Sequence, residues 1–139
     1  MKQDSLSSYE ILQSIVAPYE LSVKLKNAGL YRKTAFEWID TNGTRDVVRT
    51  DNYHFLYKKN YIPAPTLEEV ELPEDIVIVE DTNIGKNYIV CEIVSQIHDK
   101  GVIAFEIEMI KELGLFPTKL QAACEAWLWA KKREANETL

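Results

Sequence analysis

The sequence predicts an α+β fold: an antiparallel sheet with N-terminal helices and a long C-terminal helix packed on the sheet. Three observations carry this. Helical periodicity with capping residues fills 7–30, β-branched and alternating runs separated by turn residues fill much of 35–109, and an Ala-rich helical pattern follows Pro117.

In "SSYEILQSIVA", Ser7 and Glu10 have the spacing of a capping box ahead of Ile11, Leu12, Ile15 and Val16, which predicts a short first helix. Pro18 opens a second helix, "PYELSVKLKNAG", with Leu21, Leu25 and Ala28 on one stripe. Gly29 stands where a left-handed C-terminal cap belongs, with Leu30 folding back on the last turn.

Aromatic and β-branched residues then dominate, and Asn42-Gly43 supplies the positive φ angles of a tight hairpin turn. Strands are expected near 35–40, 45–50 and 53–58. Phe36 and Trp38 share one face of the first, and Trp38 is expected in the core. Pro63, Pro65 and Pro73 punctuate the next segment, where Thr66 and Glu69 again have capping-box spacing and leave room for one or two helical turns at 67–72. Residues 68–81 hold seven acidic side chains and no basic one, a pattern expected of a solvated face.

An antiparallel meander follows: "DIVIVE", a turn containing Gly85, "NYIVCEIVSQI", a turn at "HDKG", and "VIAFEIEM". Ile89, Cys91, Ile93 and Ile97 fall on one side of the middle strand, and Ile103, Phe105, Ile107 and Met109 on one side of the last. Those two rows are expected to form the sheet's core face. Residues 101–113 also admit a helix ending at Gly114; strict alternation and a β-branched start favour strand. Thr118, with Gln121 three residues on, is the expected N-cap of the closing helix.

At 139 residues, with no internal repeat and no linker rich in Gly, Ser or Pro, the chain is expected to form a single domain over 1–139. Hydrophobic content of 46 % with 27 % charged residues is that of a chain held by a core. A net charge of −6 argues against non-specific attraction to phosphate backbones or anionic lipid. The stretch "MKQDSLSSYE" shows no apolar h-region, and no apolar run approaches the roughly 18 residues of a spanning helix, so neither a leader nor a span is expected. A cytoplasmic protein is expected, with no membrane partner. Cys91 and Cys124 are too few for a disulfide framework, lack the paired spacing of a zinc site, and are expected to be reduced and buried.

The chemistry-bearing motifs are largely missing. There is no Gly-rich phosphate loop, nucleophile elbow or HExxH helix, and the five glycines are scattered at turns. No catalytic, cofactor-binding or metal-binding residue is assigned, and no cofactor is expected. Cys91 and His98, seven residues apart on one strand, stand about 23 Å apart on opposite faces, too far for a nucleophile and its base. His98 is expected in a solvated turn. Glu106 and Glu108 share the strand face opposite the apolar row, where carboxylates mostly face water. Basic residues concentrate in the first 60 positions, and Tyr53, Phe55, Tyr57 and Tyr61 near Lys58 and Lys59 suit either base stacking or ordinary packing.

The order "PYELSVKLKNAG", "AFEWID", "YIPAPTLEEVELP", "TKLQAACEAWLWAKK" resembles a group of small proteins from prophages and integrated elements of Bacteroides-type gut bacteria. Tyr19, Glu20, Leu21, Ala28 and Gly29 carry the first shared element; Ala64, Pro65, Thr66, Leu72 and Pro73 the second; Ala123, Trp127 and Leu128 the third. "LEEVELP" departs from the group's usual leucine-rich run. The resemblance implies a mobile-element origin and brings no catalytic residue with it.

The expected function is therefore a non-enzymatic accessory or protein-interaction module, with a protein partner or a second copy as the partner. The alternatives are a small enzyme with a carboxylate or cysteine site that spacing does not reveal, and a nucleic-acid-binding module using the basic N-terminal half. Nucleic acid is not the expected partner. On a helical wheel, Leu120, Ala123, Cys124, Trp127, Leu128 and Ala130 form the expected core stripe of the closing helix. Trp129, with Ala122, Ala126 and Arg133, points away from it. Either another part of the chain, such as the first helix with Ile11 and Ile15, covers Trp129, or these four residues form an interface.

Overall fold

The computed structural model describes residues 8–30, 32–57, 60–82, 85 and 87–137, with backbone only for 8–10. The predicted α+β class holds, with helices, antiparallel strands and a long C-terminal helix on a sheet. The strands form two sheets where one was expected, and contacts divide the chain into two compact units, Met1–Val70 and Glu71–Leu139. The boundary falls inside the acidic, proline-bracketed segment.

The first unit contains α1 (Ser8–Ile15), α2 (Tyr19–Asn27), β1 (Phe36–Thr41), β2 (Thr44–Arg49), α3 (Asn52–Tyr57) and β3 (Ile62–Pro63), ending with a 3-10 turn at Leu67–Glu69. The proposed Ser7–Glu10 capping box lies outside the described residues. The end of α2 is as expected: Gly29 has φ +108°, its N–H donates to the Lys26 carbonyl, and Leu30 N–H donates back to the Leu25 carbonyl at 2.9 Å. That pair of bonds satisfies carbonyls the helix end leaves open.

Asn42 and Gly43 both have positive φ, and the Gly43 N–H donates to the Asp40 carboxylate, which closes the β1–β2 hairpin. The sheet order is β2-β1-β3, all antiparallel. Trp38 faces Val47 across the hairpin, and these two join Val16 and Ala64 in the core of this unit. The Trp38 indole N–H donates to the Ala17 carbonyl, and the Tyr19 ring meets Trp38 edge-on at 5.8 Å. Of the residues in α1, Ile11 and Ile15 are exposed.

The strand expected at 53–58 is a helix, α3. Asp51 explains this: its carboxylate accepts the Tyr53 N–H at 2.8 Å and its carbonyl accepts the Phe55 N–H at 3.0 Å. The helical turn also lets two adjacent residues, His54 and Phe55, both meet the ring of Tyr61. A strand would send them to opposite faces. The Thr66–Glu69 capping box forms, although only one turn follows it. Glu69 accepts from the Thr66 N–H and hydroxyl, and its second oxygen accepts the Ala35 N–H at 2.9 Å, tying this turn to the start of β1.

The second unit contains β4 (Ile76–Asp81), β5 (Asn87–Asp99), β6 (Val102–Met109), β7 (Leu115–Phe116) and α4 (Lys119–Glu137). β5 is the centre of the sheet, with β4 along one side and β6 and β7 each paired to it along the other. Residues 102–109 are thus strand, and Lys100-Gly101, both at positive φ, turn the β5–β6 hairpin. Thr118 caps α4 as expected, its hydroxyl accepting the Gln121 N–H at 3.1 Å.

The core of this unit joins Ile76, Val90, Ile110 and Phe116 to Ala122 and Ala126 of α4, with Trp129 packed against it. Two expectations are corrected here. The stripe Ala122–Ala126–Trp129–Arg133 faces the sheet instead of pointing away from it, because the two alanines allow close approach. Ala123, Cys124, Trp127 and Ala130 on the other flank are buried as well, so the wheel has two apolar sides and periodicity cannot rank them. On the sheet, α4 packs on the Val90 face, opposite the row Ile89–Cys91–Ile93 that alternation marks as the core face. Both faces of β4 and β5 are apolar, and the helix took the other one.

Candidate functional site

Two side-chain clusters and one surface stand out. In the first unit, Glu37 is 1 % exposed although it lies on the sheet face opposite Trp38. One of its oxygens bonds His54 Nδ1 and the other accepts the Asp51 N–H at 3.2 Å, while His54 Nε2 faces Asn60 Oδ1. The Tyr61 hydroxyl beside them accepts the Thr34 N–H at 3.0 Å and bonds the hydroxyls of Thr34 and Thr50. Among the described residues no buried side-chain nitrogen or oxygen lacks a partner. The cluster is closed on itself and holds α3 against the sheet. Sequence reasoning passed over Glu37 because strand alternation with Trp38 marks it as solvent-facing.

The second cluster contains all four residues singled out on the closing helix. Ala122 and Ala126 are fully buried in the core. Trp129 is half-buried, its indole N–H donating to Glu112 at 2.6 Å and its ring lying 4.8 Å from the Arg133 guanidinium. Arg133 bonds Asp75 at 3.1 Å and Glu92 at 2.7 Å, clamping the helix to β4 and β5. The bond to Asp75 and the nearby carboxylates raise its pKa further. Trp129 is thus covered from within its own unit, by the turn after β6 and by Arg133. A cleft of about 600 Å³ runs along this side of α4, lined by Glu112, Leu113, Leu128, Trp129 and Lys132 among others.

The surface is the β5–β6 hairpin. Every residue of β6 is exposed, on both faces, and the strand lies at the sheet edge. The register Cys91↔Met109, Ile93↔Ile107, Gln96↔Phe105, His98↔Ile103 places Ile103, Phe105, Ile107 and Met109 in one row on the face opposite α4. Leu115, paired with Ile89, continues that row. These five side chains are 40–56 % exposed, with Phe105 at the upper limit. A bulge between Ile93 and Ser95 shifts the register, so Ile97 moves to the face of Ala104 and away from Ile93, against expectation. The same shift puts His98 on the face of Cys91; it lies in β5 rather than in a turn, and is exposed. Glu106 and Glu108 occupy the opposite face with Val102 and Ala104, as alternation predicts.

The remaining groups are quieter. Cys91 and Cys124 are free and buried, as expected. Burial pushes the Cys91 thiol up, and burial together with the Glu125 carboxylate pushes Cys124 up to about 12, so both thiols are held neutral at physiological pH. Of the tyrosines weighed for base stacking, Tyr61 is buried, whereas Tyr53 and Tyr57 are exposed and pack on each other at 4.9 Å. Lys58 and Lys59 lie outside the described residues. Among the described residues no group of three or more His, Cys, Asp or Glu is arranged to hold a metal ion. No helix among them is long and apolar enough to cross a membrane.

In comparisons with known proteins, no family, no curated protein and no solved structure matches this chain.

Proposed function

We propose that the protein is a non-enzymatic interaction module, cytoplasmic and of mobile-element origin, that binds a protein partner through the exposed face and edge of its β5–β6 hairpin. The observation that supports this most is β6 itself: eight residues exposed on both faces, with an unbroken apolar row from Ile103 to Met109. The largest contiguous apolar patch on a soluble protein is often functional, and larger ones mark interaction sites. An edge strand adds a row of backbone donors and acceptors that an incoming strand can satisfy. Natural edges are commonly guarded by charged side chains or Pro; β6 has no Pro or Lys, and its two charges, Glu106 and Glu108, lie on the face away from the apolar row.

The test is affinity capture from a lysate of the native host, with wild type and Phe105→Lys/Ile107→Lys as baits. Both positions are exposed, so circular dichroism and melting of the variant are expected to match wild type. Wild type is expected to retain a protein, either a second copy or another chain, that the variant loses. Equal sets of retained proteins on the two baits would refute the reading.

A further inference from the structure

We infer that the occupant of the β6 edge is a second copy of this chain, paired strand to strand in antiparallel register about a two-fold axis at Phe105. This rests on the interaction-module reading above and adds to it the partner and the register. The charge pattern of the strand laid against itself supports this pairing. A two-fold normal to the sheet keeps the apolar rows of both copies on the same side and restricts pairing to residues on the same face.

With the axis at Phe105, Phe105 faces Phe105 of the second copy, Ile103 faces Ile107, Ala104 faces Glu106, and Val102 faces Glu108. No carboxylate stands opposite another. Moving the axis to Glu106 opposes two Glu106 side chains, and moving it to Ile107 opposes Glu106 to Glu108; like charges directly across an antiparallel pair destabilise it. Moving it back to Ala104 avoids the clash but shortens the paired stretch. The two acids of β6 therefore select one register among those the strand could adopt. Aromatic and β-branched partners across the axis favour the same register.

The size of the surface also fits. Four large apolar side chains about half exposed, with Val102 at 65 % on the other face and an open backbone edge, give at most about 1,000 Å² buried in total, the threshold for a specific interface. An association in the micromolar range, visible on dilution, is the matching expectation.

Sedimentation velocity of the full chain across a concentration series, together with oxidative cross-linking of Phe105→Cys and Ile103→Cys, tests the inference. Wild type is expected to approach twice its 16.0 kDa at high concentration. Phe105→Cys, with its thiols adjacent across the axis, is expected to yield a covalent dimer. Ile103→Cys places its two thiols on the order of 14 Å apart along the strands and is expected to yield none. Wild type, whose native thiols are buried, serves as the control. A monomer at every concentration overturns the inference, as does a dimer that cross-links through Ile103→Cys and not Phe105→Cys. If the chain is monomeric yet a different protein is captured through Phe105, only the second-copy assignment fails. If nothing is captured through Phe105 either, the interaction-module reading fails with it.

Discussion

Replacing Tyr61 by alanine is expected to lower the unfolding free energy by about 3–5 kcal/mol, the cost of removing a large aromatic from a packed interior. Tyr61 is fully buried, and its ring receives Phe55 at 5.0 Å and His54 at 6.1 Å. Its hydroxyl is the acceptor for the buried Thr34 N–H. Two effects can be separated. Tyr61→Phe keeps the ring and removes only the acceptor, leaving a buried N–H unpaired at a cost of about 1–3 kcal/mol. Denaturant unfolding with an unchanged m-value checks both. Equal destabilisation by the two substitutions would show that ring packing contributes nothing, contrary to the core drawn here.

The second large effect is expected at Trp129. Its ring packs on the core of the C-terminal unit, stacks on Arg133 and donates to Glu112. Because the ring is only half-buried, Trp129→Ala is expected to cost about 2–3 kcal/mol, below the range for a fully buried aromatic. The Arg133 clamp on Asp75 and Glu92 loses its stacking partner in the same variant, which loosens the C-terminal half of α4. Light scattering is expected to give this variant the same mass as wild type. A changed mass with unaltered stability would return Trp129 to the role of an interface residue and contradict the packing described above.

Local interactions were legible in the sequence because their partners lie within a few residues. The Gly29 cap, the Asn42-Gly43 hairpin, the Thr66–Glu69 box and the Thr118 cap each follow from short-range stereochemistry. What failed depends on distant partners. Nothing within 53–58 reveals that Asp51 starts a helix whose His54 closes on Glu37, so aromatic composition argues for strand. The side of α4 that meets the sheet was hidden because small and apolar residues occupy both flanks. The sheet posed the same problem: Ile76, Ile78 and Val90 on one face compete with Val77, Val79, Ile89 and Cys91 on the other. Alternation finds such rows without saying which one a helix covers. The Val94 bulge, which redirects Ile97, has no marker in the sequence.

The candidate surface illustrates the same limit. The row Ile103, Phe105, Ile107 and Met109 is plain in the sequence, and its natural assignment is the core. Its exposure follows from the sheet order, since β6 is at the edge and α4 packs on the opposite face. The signal that was available is the guard residue missing from β6. The two charges of β6, Glu106 and Glu108, stand on the face opposite that row, so the apolar row itself carries no guard.

β6 is proposed to be an open edge which becomes paired. Amide hydrogen exchange of a peptide covering 101–110, followed from dilute to concentrated protein and with any captured partner added, measures this most directly. The account predicts fast exchange at the unpaired positions in dilute solution and clear protection on association, with β4 and β5 little changed. Exchange in β6 that stays the same under every condition, or that is fully suppressed already in the dilute monomer, would contradict it.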